Sequence, residues 1–332
     1  MMRKLIVRAA SSTAVALAVT AAASAASPYD AIYAFGDSYS AAGNDGPAAP
    51  YYMGQYSNGP IWLQTFASDL GLPALAPSLS GGTDYGYGGA GSGPTLFNPG
   101  GPTDVMGTGG QIAQFQAAHT TADPNALYTI EIGGNDLLSI PAGATTAQDN
   151  TLLQQTVGNI DGAINALAAE GAKNFLVLTV PDIGKTPEGL AVGAANAAAA
   201  SAETATLNTA LVSGSASLGI SSLAQVAAGA GAGVKISTFD LYGWLDQVAD
   251  NGAEYGFSDV TDRCYDVTAG TTCADPNSYL FWDALHLTAA GHTLLGNDVY
   301  ASLAPVPLPP AAWLLMSGMG GLALLARRRR AA

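Results

Sequence analysis

Four short apolar, β-rich runs recur along this chain, and each breaks off into a cluster of glycine, asparagine or aspartate. Residues 31–35 run into Gly36-Asp37-Ser38, and residues 127–132 into Gly133-Gly134-Asn135-Asp136. Residues 175–180 run into Pro181-Asp182, and residues 234–239 into Asp240. Between them, helical patterns occupy residues 111–118, 150–170, 190–218 and 241–251. Strands that alternate with helices pair in parallel, because each return to the same edge needs a crossover long enough to hold a helix. Near-continuous apolar strands belong to a sheet covered on both faces. The pattern therefore predicts a doubly wound parallel sheet in an α/β fold of three layers, α/β/α. The Ala-rich stretch 190–232 reads as helix rather than linker, because Leu207, Leu211 and Leu218 recur at helical spacing. The body is thus one domain. Residues 71–110, rich in glycine and proline, are expected to loop over the ligand-binding edge.

Charge is distributed unevenly. The chain carries 11 basic and 25 acidic residues, a formal charge of −14. Seven of the basic residues sit at the tips (Arg3, Lys4, Arg8 and Arg327 to Arg330), whereas every acidic residue lies between Asp30 and Asp298. Only Lys173, Lys185, Lys235 and Arg263 remain in the body, so four cations face 25 anions there, a charge of −21. Such a body repels phosphate backbones and anionic headgroups, which excludes nucleic-acid binding and favours neutral substrates. A surface suited to saline surroundings is a further expectation.

Both ends read as addresses. Residues 1–25 combine a basic start, an Ala/Val/Leu stretch and an Ala23-Ser24-Ala25 site, the layout of a cleaved signal peptide. At the other end, Val306-Pro307-Leu308-Pro309-Pro310 precedes an apolar span, residues 311–326, and four arginines. That span reaches about 24 Å as a helix, short of the roughly 30 Å hydrocarbon core. Its arginines would stay cytoplasmic and halt export. The arrangement in residues 305–332 resembles the PEP-CTERM class of sorting signals in its VPLPA-type variant, with Pro310 where that motif has Ala. The resemblance implies transient inner-membrane contact, cleavage by an exosortase-type enzyme and delivery to the cell surface or medium. A permanent anchor is the alternative. Residues 26–304 form the working domain.

The two cysteines, Cys264 and Cys273, close a short loop, and in an exported protein they are expected to form a disulfide. A metal site would need further ligands, and His119, His286 and His292 do not supply them at suitable spacing. The bridge would pin the segment just before Asp283.

In open α/β sheets ligands bind at the carboxyl ends of the strands, so the polar clusters should converge. Ser38, in a turn after the first strand, is placed to act as a nucleophile once a base takes its proton. The candidate base is His286, with Asp283 three residues earlier to orient the ring. An oxyanion hole could be assembled from the Ser38 N–H, the backbone of Gly88-Gly89 and the side-chain amide of Asn135.

The order Ser, Gly, Asn, then Asp-x-x-His resembles the SGNH, or GDSL-type, hydrolase family in its lipase/esterase branch, across residues 32–295. Phe35-Gly36-Asp37-Ser38 is similar to block I, and Tyr56-Ser57-Asn58-Gly59-Pro60-Ile61-Trp62 to the segment after it. Tyr85-Gly86-Tyr87-Gly88-Gly89-Ala90 resembles block II, Gly133-Gly134-Asn135-Asp136 block III, and Asp283 to His286 block V. The resemblance implies a flavodoxin-like architecture and no cofactor. It makes Ser38 the nucleophile and first oxyanion donor, Gly89 the second donor with Gly88 as its neighbouring alternative, and Asn135 the third. His286 becomes the general base and Asp283 its orienter. Tyr39 stands where the family usually has Leu, Ala41 where Asp is frequent, and Leu287 where Pro often follows the histidine.

The expected activity is hydrolysis of a small-molecule, lipid or glycan ester. Alternatives are a carbohydrate acetylesterase, a lipid acyltransferase on the same site, or a non-catalytic surface or biofilm matrix protein. Other polar residues have plainer readings. Asp37 caps a turn, Asp136 ties down its own loop, His119 is a solvated helix-end residue, and His292 packs or hydrogen-bonds in the last helix. Trp62, Trp244 and Trp282 are core or pocket wall.

Overall fold

Each apolar run forms a strand in the computed structural model, which describes residues 27–47, 50–94, 106–141 and 143–303. The expected signal peptide, residues 1–25, and sorting segment, residues 305–332, lie outside the described residues. No helix among the described residues is long and apolar enough to cross a membrane. The strands β1 (Ile32–Gly36), β2 (Leu127–Glu131), β3 (Asn174–Leu178) and β4 (Lys235–Phe239) pair in the order β1-β2-β3-β4, all parallel. The third run stops two residues short of its apolar end. Val180 leaves the sheet because the Asn208 side-chain amide takes both its N–H and its carbonyl, each at 2.8 Å.

The helices in chain order are α1 (Trp62–Asp69), α2 (Thr108–Ala118), α3 (Gly134–Leu138), α4 (Thr146–Ala169) and α5 (Pro187–Ala191). They continue with α6 (Ala194–Ser213), α7 (Leu223–Gly229), α8 (Leu241–Asp250) and α9 (Ala289–Leu303). Strand pleating sends alternate residues to opposite faces. Phe35, Tyr128, Ile130, Phe175 and Val177 share a core with α2, α4, α6 and α7. Ile32, Ala34, Leu127, Leu176 and Leu178 share a second core with α1, α8 and α9. The expected three layers are present.

One reading needs correction. The helix expected over residues 190–218 is broken twice, at Gly193 (φ +93°) and Gly214 (φ +75°). Such backbone is costly for residues with a Cβ. Leu207 and Leu211 are buried on α6, while Leu218 lies beyond its end in a turn that pairs Ser215 with Ile220. Residues 71–110, expected to loop over the ligand-binding edge, hold no named strand among their described residues. Within that glycine-rich stretch, Ala34 donates its N–H to Thr83 and accepts from Tyr85, and Tyr87 donates to Gly36. The chain here borders the outer side of β1 through an isolated bridge, with Ala34 and Asp84 paired in parallel. From β1 the chain therefore goes first to one side of the sheet and then crosses to β2 on the other. That reversal makes the carboxyl end of β1 a topological switch point, the place where open α/β sheets take ligands.

The C-terminal part adds β5 (Asp259–Arg263), β6 (Tyr265–Asp266), β7 (Thr271–Thr272) and β8 (Tyr279–Phe281). Cys264 and Cys273 are bonded as expected, across the β6–β7 hairpin. Cys264 and Tyr265 donate their N–H groups to the carbonyls of Phe281 and Trp282, at 3.0 and 2.6 Å. The bridged hairpin is thus stitched to the two residues before Asp283. The tryptophans are structural: Trp62 is fully buried, Trp244 donates to Asp298, and Trp282 stacks on Tyr265.

Candidate active site

β1 ends at Gly36, opposite Glu131 of β2. A Cβ on Gly36 would run into the carbonyl of Glu131, so glycine is required there. Asp37 then accepts the Tyr39 N–H at 3.0 Å, a turn that leaves Ser38 at the carboxyl end of the sheet. This is the capping role expected of Asp37.

On the far side, Asp283 folds its own loop. Its Oδ1 accepts the N–H groups of Leu285 (2.9 Å) and His286 (2.8 Å), which turns the chain tightly enough to bring the His286 ring back to the carboxylate. With the proton on Nδ1, the ring donates to Asp283 Oδ2 at 2.8 Å, and Nε2 accepts the Ser38 hydroxyl at 2.7 Å. Ser38, His286 and Asp283 thus form one unbroken relay across 248 residues of sequence. Tyr39, the departure from the usual Leu, helps hold it: its hydroxyl donates to the Leu285 carbonyl at 2.8 Å.

Electrostatics favour an ionised carboxylate beside a ring made more basic than a free imidazole. Burial pushes Asp283 up, but the charge and hydrogen bonds of His286 and the backbone N–H of Leu285 bring it down to about 2. Burial pulls His286 down, and Asp283 outweighs it, with Asp37 and Glu188 adding to the effect, so the imidazole ends above its ordinary value.

Asn135 lies in the first turn of α3 and lines the same cleft as Ser38 and His286. Its amide donates to the Ala90 carbonyl at 3.0 Å, which ties block II to α3. Of the two glycines of that loop, Gly88 is engaged, its N–H donating to Asp45 at 2.7 Å. Among the described residues no acceptor takes the Gly89 N–H. Gly89 adopts φ +72°, and it is not one of the residues lining the cleft. Gly88 must be glycine for another reason: a Cβ there would enter the Tyr56 ring. The cleft, about 40 Å³, has Leu138, Pro181, Ile183 and Leu285 as its apolar wall.

Asp136 differs from its expected role. It accepts the N–H and hydroxyl of Ser92 (2.9 and 2.6 Å) and the hydroxyl of Thr156 (3.2 Å), tying the block II loop to α4 rather than its own loop. His119 is half-buried rather than solvated. Its ring stacks on Phe115 at 4.3 Å and Nδ1 bonds the Phe115 carbonyl, far from the site. His292 is packed, as expected, edge-on to Tyr39, and burial with the nearby His286 brings it down to about 3.

Some contributors carry no motif. Glu131, at the end of β2, lines the cleft while buried, and accepts the Ser40 hydroxyl at 3.0 Å. Burial and the neighbouring Asp37 push its carboxyl well above the usual range, and burial pushes Asp37 itself to about 6. An acid closing an otherwise apolar run was the one available signal. Tyr51, a loop tyrosine without periodicity, offered none, whereas Tyr56 opened the segment matched after block I. Among the described residues no cluster of His, Cys, Asp and Glu is arranged to hold a metal ion.

Comparison with known proteins places these contacts in a family. Residues 32–299 match the family model of GDSL-like lipase/acylhydrolase. The thermolabile hemolysin of Vibrio parahaemolyticus is 23% identical over 297 residues, 82% of this chain and 63% of that protein. An acetylesterase of Thermothelomyces thermophilus is 32% identical over 201 residues, 53% of this chain and 63% of that protein. The matched region spans less than two-thirds of the length of either relative. A lipolytic protein of the G-D-S-L family from Veillonella parvula aligns in structure with a TM-score of 0.45 at 14% identity, covering 82% of this chain and 96% of that one. With the family model spanning the domain from β1 to α9, the chain belongs to the GDSL-like lipase/acylhydrolase family.

Proposed function

We propose that this protein is an exported serine hydrolase that cleaves carboxylic esters of short acyl groups. The observation that carries the reading is the Ser38–His286–Asp283 relay, closed at 2.7 and 2.8 Å beside a small apolar cleft. In the first half-reaction Ser38 Oγ attacks the ester carbonyl as Nε2 of His286 takes its proton. The resulting oxyanion is held by the N–H groups of Ser38 and Gly89 and the amide of Asn135. Collapse breaks the bond to the alcohol oxygen, which leaves with the proton from His286. Water then attacks the acyl-Ser38 ester, gives a proton to His286, and the acid departs as Ser38 recovers its hydrogen. Asp283 stays ionised and keeps Nδ1 protonated throughout.

Room for the acyl group is limited. Leu138, Pro181, Ile183 and Leu285 wall a small cleft of about 40 Å³ beside Ser38. The acetylesterase among the relatives supports the same reading. In a series of p-nitrophenyl esters, kcat/KM is expected to be highest for acetate to butyrate and to fall roughly tenfold or more by octanoate. A profile that rises toward long chains would exclude the short-acyl assignment.

Export is supported by the basic-apolar opening of residues 1–25 and by a disulfide, which persists in oxidising surroundings. The Pro-rich, apolar and tetra-arginine end supports transient inner-membrane contact and an exosortase-type partner. Mass spectrometry of the released protein should show both ends trimmed, and an intact Arg cluster on released protein would overturn that processing.

A further inference from the structure

The outer oxygen of Asp283 has a donor that belongs to no motif. Both backbone N–H groups of the Asp283 loop act on Oδ1. The His286 ring nitrogen lies against both oxygens, 2.9 Å from Oδ1 and 2.8 Å from Oδ2, and Oδ2 also receives the Tyr51 hydroxyl, at 2.8 Å. Tyr51 lies 232 residues from Asp283 in sequence, so the contact joins two halves of the fold.

Tyr51 is held for that contact. Its half-buried ring packs on Tyr56 at 5.3 Å, and Tyr56 in turn leans on the His286 imidazole at 5.1 Å. The backbone after Tyr51 closes on itself: Tyr52 donates to Ser57 and Gln55 donates to Tyr52, both at 2.8 Å. Met53, at φ +53°, reverses the chain between them, in a conformation that residues with a Cβ seldom adopt.

We propose that Tyr51 is a positioning residue of the relay: its hydroxyl fixes the Asp283 carboxylate and draws part of the negative charge on Oδ2 away from His286. The proposal rests on the esterase reading for its catalytic consequence, but not for its physical test. A carboxylate that donors have partly neutralised attracts an imidazolium less. Removing the Tyr51 hydroxyl concentrates charge on Oδ2 and makes His286 more basic. The phenol remains a donor throughout the working range, because burial and the Asp283 charge hold it protonated.

Other groups face the same pair. Asp37, Glu188 and His292 act on His286, and Glu131 acts through Asp37. Tyr39 and Tyr56 also face Asp283, and Tyr265 faces Tyr51. Each stays in place in Tyr51→Phe, which deletes one oxygen and keeps the ring packing.

The experiment is an NMR titration of histidine-labelled full-length protein, wild type against Tyr51→Phe, with pH–rate profiles measured alongside. His286 is expected to titrate roughly half a pH unit higher in the variant. The acid limb of kcat/KM should move upward with it, while kcat falls about threefold and KM holds. Tyr56→Phe, whose lost hydroxyl bonds Asp45 at 3.4 Å and makes no hydrogen bond to Asp283, should leave the His286 titration in place. An unmoved His286 in folded Tyr51→Phe overturns the proposal, and so does an equal shift in Tyr56→Phe, which would signal general loosening. Absence of ester hydrolysis in the wild type would instead overturn the esterase reading, and the titration would still decide the role of Tyr51.

Discussion

Ser38→Ala is expected to lower turnover of p-nitrophenyl acetate by roughly 10⁴-fold or more while the fold survives. The two halves of that expectation have separate causes. Oγ is the atom that becomes covalently bonded to the acyl group, and no neighbouring hydroxyl meets His286 Nε2 in its place. The side chain makes no other hydrogen bond, and the turn that carries it is held by Asp37 and the backbone. Circular dichroism and Tm should therefore match wild type. What residual rate remains would come from the oxyanion donors and from binding. Turnover close to wild type in the alanine variant would sink the mechanism.

His286→Ala should be similarly severe, and its combination with Ser38→Ala no worse than either alone. Residues that act as one relay fail together, so their losses do not add. Asp283→Ala should be milder by roughly a hundredfold, because the side chain orients the ring without exchanging a proton. The pH dependence follows from the sign of the His286 shift. The base works only when neutral, so kcat/KM should drop as pH falls through the His286 value. Asp283 holds that value above the ordinary imidazole, so the acid limb should lie above the ordinary position too. Steady-state kinetics on the single and double variants check this. Additive losses would show that the two residues do not share one step.

The strands were legible because each is a five- or six-residue apolar run that stops at a polar cluster. Helix limits were less so. Ala194–Ser213 is a run of strong helix formers, but where it breaks depends on Gly193 and Gly214, and periodic leucines say nothing about backbone sign. The outer bridge at Asp84 was hidden in a glycine-rich stretch whose pairing comes from β1 rather than from its own composition. The cysteine bridge was legible, and so was its position before Asp283. That it hydrogen-bonds Phe281 and Trp282 directly was not.

The sequence by itself determined the class of sheet and the pairing of the cysteines, both from local pattern, and it nominated Ser38, Asp283 and His286, whose roles came from the resemblance of the whole motif order to a family. Only the tertiary structure decided that Gly88 is committed to Asp45, that Asp136 serves the block II loop, and that Glu131 and Tyr51 stand at the relay. Those contacts join residues tens to hundreds of positions apart. A hydrogen bond between distant loops depends on where the sheet delivers each loop end, and that information exists only once the chain has packed.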